Sequence, residues 1–171
     1  WLAKFTKDGV EVWSKVFGTD GYDKVDTIFV DDDDNIFVGG SVSGDQIDGT
    51  VTGGVNQGTG GTNNAGGTTN DIWIAKYTSA GVQSWITQFG SEGMDYVSSI
   101  AVNSFGKLYF GGATSSNFGT LNIGAQDIVF GMLDASNGDL ITSRADGSDI
   151  GGKFPGGNNT VNGLGYIQMG T

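Results

Sequence analysis

Trp1-Leu-Ala-Lys-Phe-Thr-Lys-Asp-Gly-Val-Glu-Val-Trp13 lies without a gap on Trp73-Ile-Ala-Lys-Tyr-Thr-Ser-Ala-Gly-Val-Gln-Ser-Trp85, an offset of 72 residues. The register runs on through Phe17-Gly18 on Phe89-Gly90, Gly21 on Gly93, Asp23 on Asp95, Val25 on Val97, Ile28 on Ile100, Val30 on Val102 and Gly39-Gly40 on Gly111-Gly112, about 16 identities in 40 positions. Agreement in register over that length marks a repeat protein. A weaker third copy, Asp127-Ile-Val-Phe-Gly-Met-Leu-Asp, matches Asp71-Ile-Trp-Ile-Ala-Lys-Tyr-Thr at an offset of 56. The difference in spacing sits between Gly44 and Asn70, where Thr-Gly-Gly-Val-Asn-Gln-Gly-Thr-Gly-Gly-Thr-Asn-Asn-Ala-Gly-Gly has the composition of a flexible loop insertion.

Each unit resolves into four short extended segments separated by turn signals. In the second full unit these are Tyr96 to Val102, Lys107 to Ala113, Asp127 to Leu133 and a fourth near Asp139 to Ser143, with turns at Asn103-Ser-Phe-Gly106 and Asp134-Ala-Ser-Asn-Gly138. Ile-Trp-Ile-Ala and Leu-Tyr-Phe are apolar at consecutive positions, which suits strands covered on both faces by neighbouring sheets. The expected fold is therefore all-β, with β-propeller blades of four antiparallel strands forming an incomplete propeller; a β-solenoid is the alternative. The expected divisions are 1–21, the last two strands of a blade; 22–95, a blade; 96–147, a blade; and 148–171, the start of a further, degenerate blade. A propeller closes with at least four blades, so further blades are expected before Trp1, after Thr171 or both, in the same or a neighbouring chain. Because the pattern opens in mid-unit, a targeting segment is expected to lie outside this stretch.

Gly-Gly-Thr-Asn-Asn-Ala-Gly-Gly (60–67), Asp71-Ile-Trp-Ile-Ala-Lys-Tyr, Gly81-Val-Gln-Ser-Trp85, Gln88-Phe-Gly-Ser-Glu-Gly-Met-Asp95 and Ile100-Ala-Val-Asn-Ser-Phe-Gly together resemble the bacterial β-propeller repeat family called SBBP. The resemblance extends to about residue 147 and fades beyond Gly147, although Gly165-Tyr-Ile-Gln-Met-Gly170 still has the look of a second strand. It implies a propeller and a secreted or cell-surface bacterial setting, and it implies no single activity.

Composition points the same way. The chain has 32 glycines and one proline, Pro155, so a helix of three turns would nearly always contain a breaker. The net charge is -11, and Arg144 is the only arginine. A nucleic-acid partner is not expected, because phosphate binding needs clustered cations. No apolar run approaches the length of a membrane span. There is neither cysteine nor histidine, which removes thiolate chemistry, the Ser-His-Asp arrangement and most zinc or iron sites.

The candidate sites each have a structural and a functional reading. Asp31-Asp-Asp-Asp-Asn35 offers the oxygens a hard cation such as calcium prefers, with Asp31, Asp33 and Asn35 the candidate ligands. An EF-hand would want glycine at Ile36 and glutamate at Val42, and the matching segment Asn103 to Lys107 is an ordinary turn, so a charged turn tip is the preferred reading. Asp23, Asp95, Asp71 and Asp127 are read as acceptors for backbone amides where strands begin, in preference to ligands arranged around a ring. Trp1, Trp13, Trp73 and Trp85 are read as buried between blades in preference to sugar-stacking platforms. Lys4 and Lys76 are read as covering sheet edges with their stems. Nothing places two carboxylates across a cleft for glycoside hydrolysis, and Asn158-Asn159-Thr160 is a formal sequon of the kind Asn-rich chains produce often.

The expected function is a non-catalytic scaffold or adhesion module with a protein or carbohydrate surface partner. No catalytic residue and no cofactor other than calcium are assigned, and the Gly44 to Asn70 loop is the first place to look for binding. The alternative is a fragment of a propeller-based lyase or hydrolase whose active site lies outside this chain.

Overall fold

The computed structural model describes residues 1–19, 21–43, 47, 70–91, 93–116 and 125–141. Nine strands run in chain order: β1 (Leu2–Phe5), β2 (Glu11–Lys15), β3 (Asp23–Val30), β4 (Ile36–Val42), β5 (Asp71–Tyr77), β6 (Gln83–Phe89), β7 (Asp95–Val102), β8 (Lys107–Thr114) and β9 (Asp127–Asp134). They form three sheets, β1-β2, β3-β4-β5-β6 and β7-β8-β9, each a meander of antiparallel neighbours. Beyond β9 the chain turns back, with Leu140 bridging Leu133 and the Ile141 amide donating to the Met132 carbonyl at 2.9 Å. Among the described residues there is no helix, and hence none long and apolar enough to cross a membrane. Most of the Gly44 to Asn70 insertion, the sequon and the 148–171 segment lie outside the described residues.

The glycine pair of each unit has a local cause. β3 carries a bulge between Val25 and Thr27, and β7 carries one at the same place, between Val97 and Ser99. A bulge bends its strand and pushes the backbone toward its partner. The Lys24 carbonyl oxygen consequently sits where a Cβ of Gly40 would stand, and the Tyr96 carbonyl does the same at Gly112. Any side chain at either position would collide with backbone.

The four-stranded sheet is the middle layer. β4 is buried along its whole length, and β5 is buried except at Lys76. Alternate side chains on a strand point to opposite faces, so β5 divides its apolar residues between two cores. Ile72 and Ile74, with Phe37, Trp85 and Phe89, pack against Val97, Ile100, Leu108, Phe110 and Val129 of the three-stranded sheet. Trp73, Ala75 and Tyr77, with Val38, Val42 and Ile86, pack against Leu2, Trp13 and Phe17 of the first hairpin and its exit. Phe17 stands edge-on to Trp73 at 5.5 Å, and Phe89, its counterpart 72 residues on, meets Phe110 at 5.1 Å.

A directional contact repeats at both junctions. The Trp13 indole N–H donates to the Ser79 carbonyl in the β5–β6 turn at 3.1 Å, and the Trp85 indole N–H donates to the Ala135 carbonyl in the turn after β9, also at 3.1 Å. Ser79 and Ala135 are themselves 56 residues apart, the offset of the third copy. Each indole lies over a turn glycine of positive φ: a Cβ on Gly81 (φ 78°) would come within 2.7 Å of the Trp13 ring, and one on Gly138 (φ 80°) within 2.6 Å of the Trp85 ring.

The four tryptophans therefore differ in fate. Trp73 and Trp85 are buried, as expected. Trp13 is half-buried, and Trp1 is 67% exposed, which corrects the expectation of burial for both. Trp73 is held between β4 and β6 with Phe17 on its face, whereas Trp1 precedes β1, which pairs with β2 alone among the described residues. Lys4 donates from Nζ to the Ser79 carbonyl at 3.2 Å, and Lys76 Nζ stands 5.2 Å above the Phe37 ring.

Gly9 and Gly81 share the same turn geometry but only Gly81 is covered by an indole, so alanine at the two positions separates backbone strain from steric conflict. Gly9→Ala should cost about 1 kcal/mol from the left-handed backbone alone. Gly81→Ala should cost about 1–3 kcal/mol more as the Trp13 ring is displaced. Equal losses in urea denaturation would show that the indole contact contributes nothing.

Candidate functional site

A cleft of 450 Å³ opens between the second and third sheets at the end where their hairpin turns gather. Its apolar wall is Phe29, Phe37 and Val102; Lys76 stands over Phe37, and its rim is Asp31, Asp32 and Asp33 opposite Asn103 and Ser104. Strands β3 and β4 deliver the acidic turn to this rim and β7 and β8 deliver the neutral one. The volume is in the range that admits a small ligand or a side chain of a larger one.

The acidic turn is built as its neutral counterpart is built. Asp31 Oδ1 accepts the amides of Asp33 at 3.0 Å and Asn35 at 2.8 Å, and Asn103 Oδ1 accepts those of Phe105 at 3.0 Å and Lys107 at 2.9 Å. The closing backbone bonds also correspond: Asp34 N–H to the Asp31 carbonyl at 3.1 Å, Gly106 N–H to the Asn103 carbonyl at 3.1 Å. Asp34 takes the left-handed conformation, φ 61°, where the other turn has Gly106 at 71°. Such side-chain-to-backbone bonding is the ordinary role of Asp and Asn in turns. Of the three residues assigned to calcium, Asp31 and Asn35 are brought together, with the Asn35 amide donating to the Asp31 carboxylate at 2.9 Å. Asp33 meets Asp31 through its backbone, and it is exposed. Among the described residues, no three acidic side chains are grouped so as to hold a metal ion.

The repeated acids close the connections between sheets. After β2, the Asp23 carboxylate accepts the Thr19 amide at 2.9 Å and the Thr19 hydroxyl at 2.8 Å, and that hydroxyl accepts the Gly21 amide at 3.0 Å. After β6, Asp95 binds the Ser91 amide and, at 3.1 Å, its hydroxyl, which in turn accepts the Gly93 amide at 3.1 Å. The hydroxyl of Thr19 and Ser91 is the part sequence reading missed; the recurring Phe-Gly-(Thr/Ser)-x-Gly-x-Asp spacing carried its signal. Asp71 accepts from the Gln88 side-chain amide at 3.0 Å, and Gln88 Oε1 accepts the Ile47 amide at 3.1 Å.

Gly90 passes between Asp71 and Asp95, so closely that a Cβ there would collide with a carboxylate oxygen of each. Burial pushes both carboxyls above their ordinary pKa; Asp71 also raises Asp95, against lowering by the Ser91 and Thr114 bonds. At the cleft end Asp134 is instead lowered to about 2 by bonds from Ser136 and from Lys107, whose Nζ is 2.9 Å away.

No family model matches the chain, and no curated protein matches it.

Two measurements follow from this geometry. Asp31→Ala should lose about 1–2 kcal/mol, because two amides lose their acceptor, while exposed Asp33→Ala should change stability by under about 0.5 kcal/mol. Equal effects would remove the turn-building role. The pH dependence has two limbs. Asp71 and Asp95 have raised folded pKa values, so protonating them favours the fold and stability rises on acidification from neutrality; Asp134 is lowered, so its contribution is lost as pH falls through about 2. Urea midpoints should peak at about pH 4, and Asp71→Asn should flatten the neutral-to-acid rise. An unchanged rise would show that it comes from the overall negative charge.

Proposed function

We propose that the chain is a run of β-propeller blades serving as a non-catalytic scaffold and binding module of a secreted or cell-surface protein, with the turn-lined cleft as its contact point. The observation that carries this reading is the recurrence of the indole-to-turn contact at both junctions between sheets. Repeated sheets that stack face to face through equivalent contacts, each a meander of antiparallel strands, are the building plan of a propeller; repeated coils of a solenoid pair in parallel. Resemblance to the SBBP repeats supports the bacterial surface setting.

The cleft supports the binding part. It combines aromatic faces, a cation over one of them, and amide, hydroxyl and carboxylate groups on a rim of hairpin turns, a set suited to an extended polar partner such as a saccharide or a peptide. Its groups that hydrogen-bond within the turns, Asp31 and Asn103, hold the rim in shape, which leaves Asp32, Asp33 and Ser104 as the outward contacts.

The test is an amide-shift titration of the ¹⁵N-labelled chain with a panel of bacterial surface polysaccharides and with a lysine-rich peptide. Shifts should concentrate at Phe29, Lys76, Asn103 and Ser104 and weaken in Asp32→Lys with Asp33→Lys. Shifts scattered away from the cleft, or none with any probe, would overturn its assignment; turnover of a probe would overturn the non-catalytic reading.

A further inference from the structure

We infer that the first hairpin turn, Thr6 to Val10, is an indole acceptor: it receives a tryptophan from the outermost strand of another repeat sheet of this kind, over Gly9 and onto the Lys7 carbonyl. The inference rests on the stacked-sheet reading above and adds the contact by which a further sheet would attach.

Three turns of the chain stand at equivalent places, those after β1, β5 and β9. The first two are built alike. The Thr6 amide donates to the Val10 carbonyl at 2.8 Å and the Thr78 amide to the Val82 carbonyl at 2.8 Å; the Val10 and Val82 amides return to the threonine hydroxyls at 3.1 and 3.2 Å. Gly9 and Gly81 have φ of 81° and 78°. At the second and third turns an indole covers the glycine and donates to a turn carbonyl, Ser79 or Ala135. Lys7 stands 72 residues before Ser79 and Gly9 72 before Gly81. Yet among the described residues nothing lies within 4 Å of the Cβ position at Gly9. Gly106 is open as well, but its counterpart is Asp34, and no indole covers that turn type.

The occupant follows from the chemistry of the two filled acceptors. It must present a flat donor ring of indole size from a strand that packs across the hairpin. A second copy of this chain does not supply one from the same strand position, because Trp13 and Trp85 are already engaged within it. The partner is instead a separate repeat sheet carrying a tryptophan where β2 and β6 carry theirs. Beside the turn, Val10 and Val12 are exposed and would gain cover from such a sheet.

The repeat register allows a direct test with the full chain. Residues 1–72 are repeated ahead of Trp1, so that the junction Ile72 to Trp1 reproduces Ile72 to Trp73 and Trp13 of the added copy falls opposite the original Gly9. Gly9→Ala in the original copy should then lower the thermal midpoint about twofold more than it does in the unextended chain, and Trp13→Ala in the added copy should abolish the excess. The indole N–H of the added Trp13 should also become protected from solvent exchange. If the added copy folds and raises the midpoint but Gly9→Ala costs the same in both chains, the acceptor is overturned while the stacking reading stands. If the added copy remains unfolded, both are overturned.

Discussion

The structure depends on a buried indole N–H finding an acceptor in the neighbouring sheet. Apolar burial brings sheets together without fixing how they slide over one another, since it is roughly proportional to area and has no direction. A hydrogen bond at 3.1 Å from Trp85 to Ala135 does have direction, and an unmade one at this depth would cost about 1–3 kcal/mol. The donor ring can approach the turn only where no Cβ intervenes, which is why Gly138 and Gly81 stand beneath the two rings. Donor, acceptor and glycine must recur together, and they do: Trp13 and Trp85 are 72 residues apart, Ser79 and Ala135 56, and Gly81 and Gly138 57, the last turn being one residue longer.

Around this contact the two central strands of the middle sheet, β4 and β5, are covered on both faces. β5 sends Ile72 and Ile74 one way and Trp73, Ala75 and Tyr77 the other, so one strand serves two cores. β3, at the edge of the same sheet, does not share that condition. Val25 and Val97 are the same residue at equivalent positions, as are Ile28 and Ile100; the first of each pair is 45% and 57% exposed, the second 1% and 6%. The difference is what lies opposite, because β7 packs on β3, β4 and β5. Identity of sequence gave identity of strand and bulge, not of burial.

The acidic groups divide by surroundings in the same way. Asp31 and Asp95 both accept amide hydrogens, but Asp31 does so at a turn rim beside the cleft and Asp95 does so buried near Asp71. Asp95 secures the connection between two sheets, while Asp31 shapes a rim whose neighbours face outward. A cluster of four aspartates looks in sequence like one feature; in the fold its first member builds a hairpin and its fourth supplies the left-handed residue that Gly106 supplies elsewhere.

The repeat, the all-β class, the positions of the strands through β9 and the turns were legible in the chain, because strand pairing and turn formation are local and leave period-two patterns, glycines and Asx residues at fixed offsets; of the fourth strand expected near Asp139 to Ser143 the described residues show a single bridge at Leu140, and 142–143 lie outside them. The roles of Asp23 and Asp95 as amide acceptors were legible for the same reason. The exposure of Trp1, the shared boundary of Asp71 and Asp95, the glycine beneath each indole and the cleft between two sets of turns were not. Each depends on which sheet lies against which, and that is settled by contacts between residues some 50 to 75 positions apart, for which neither periodicity nor composition carries a signal.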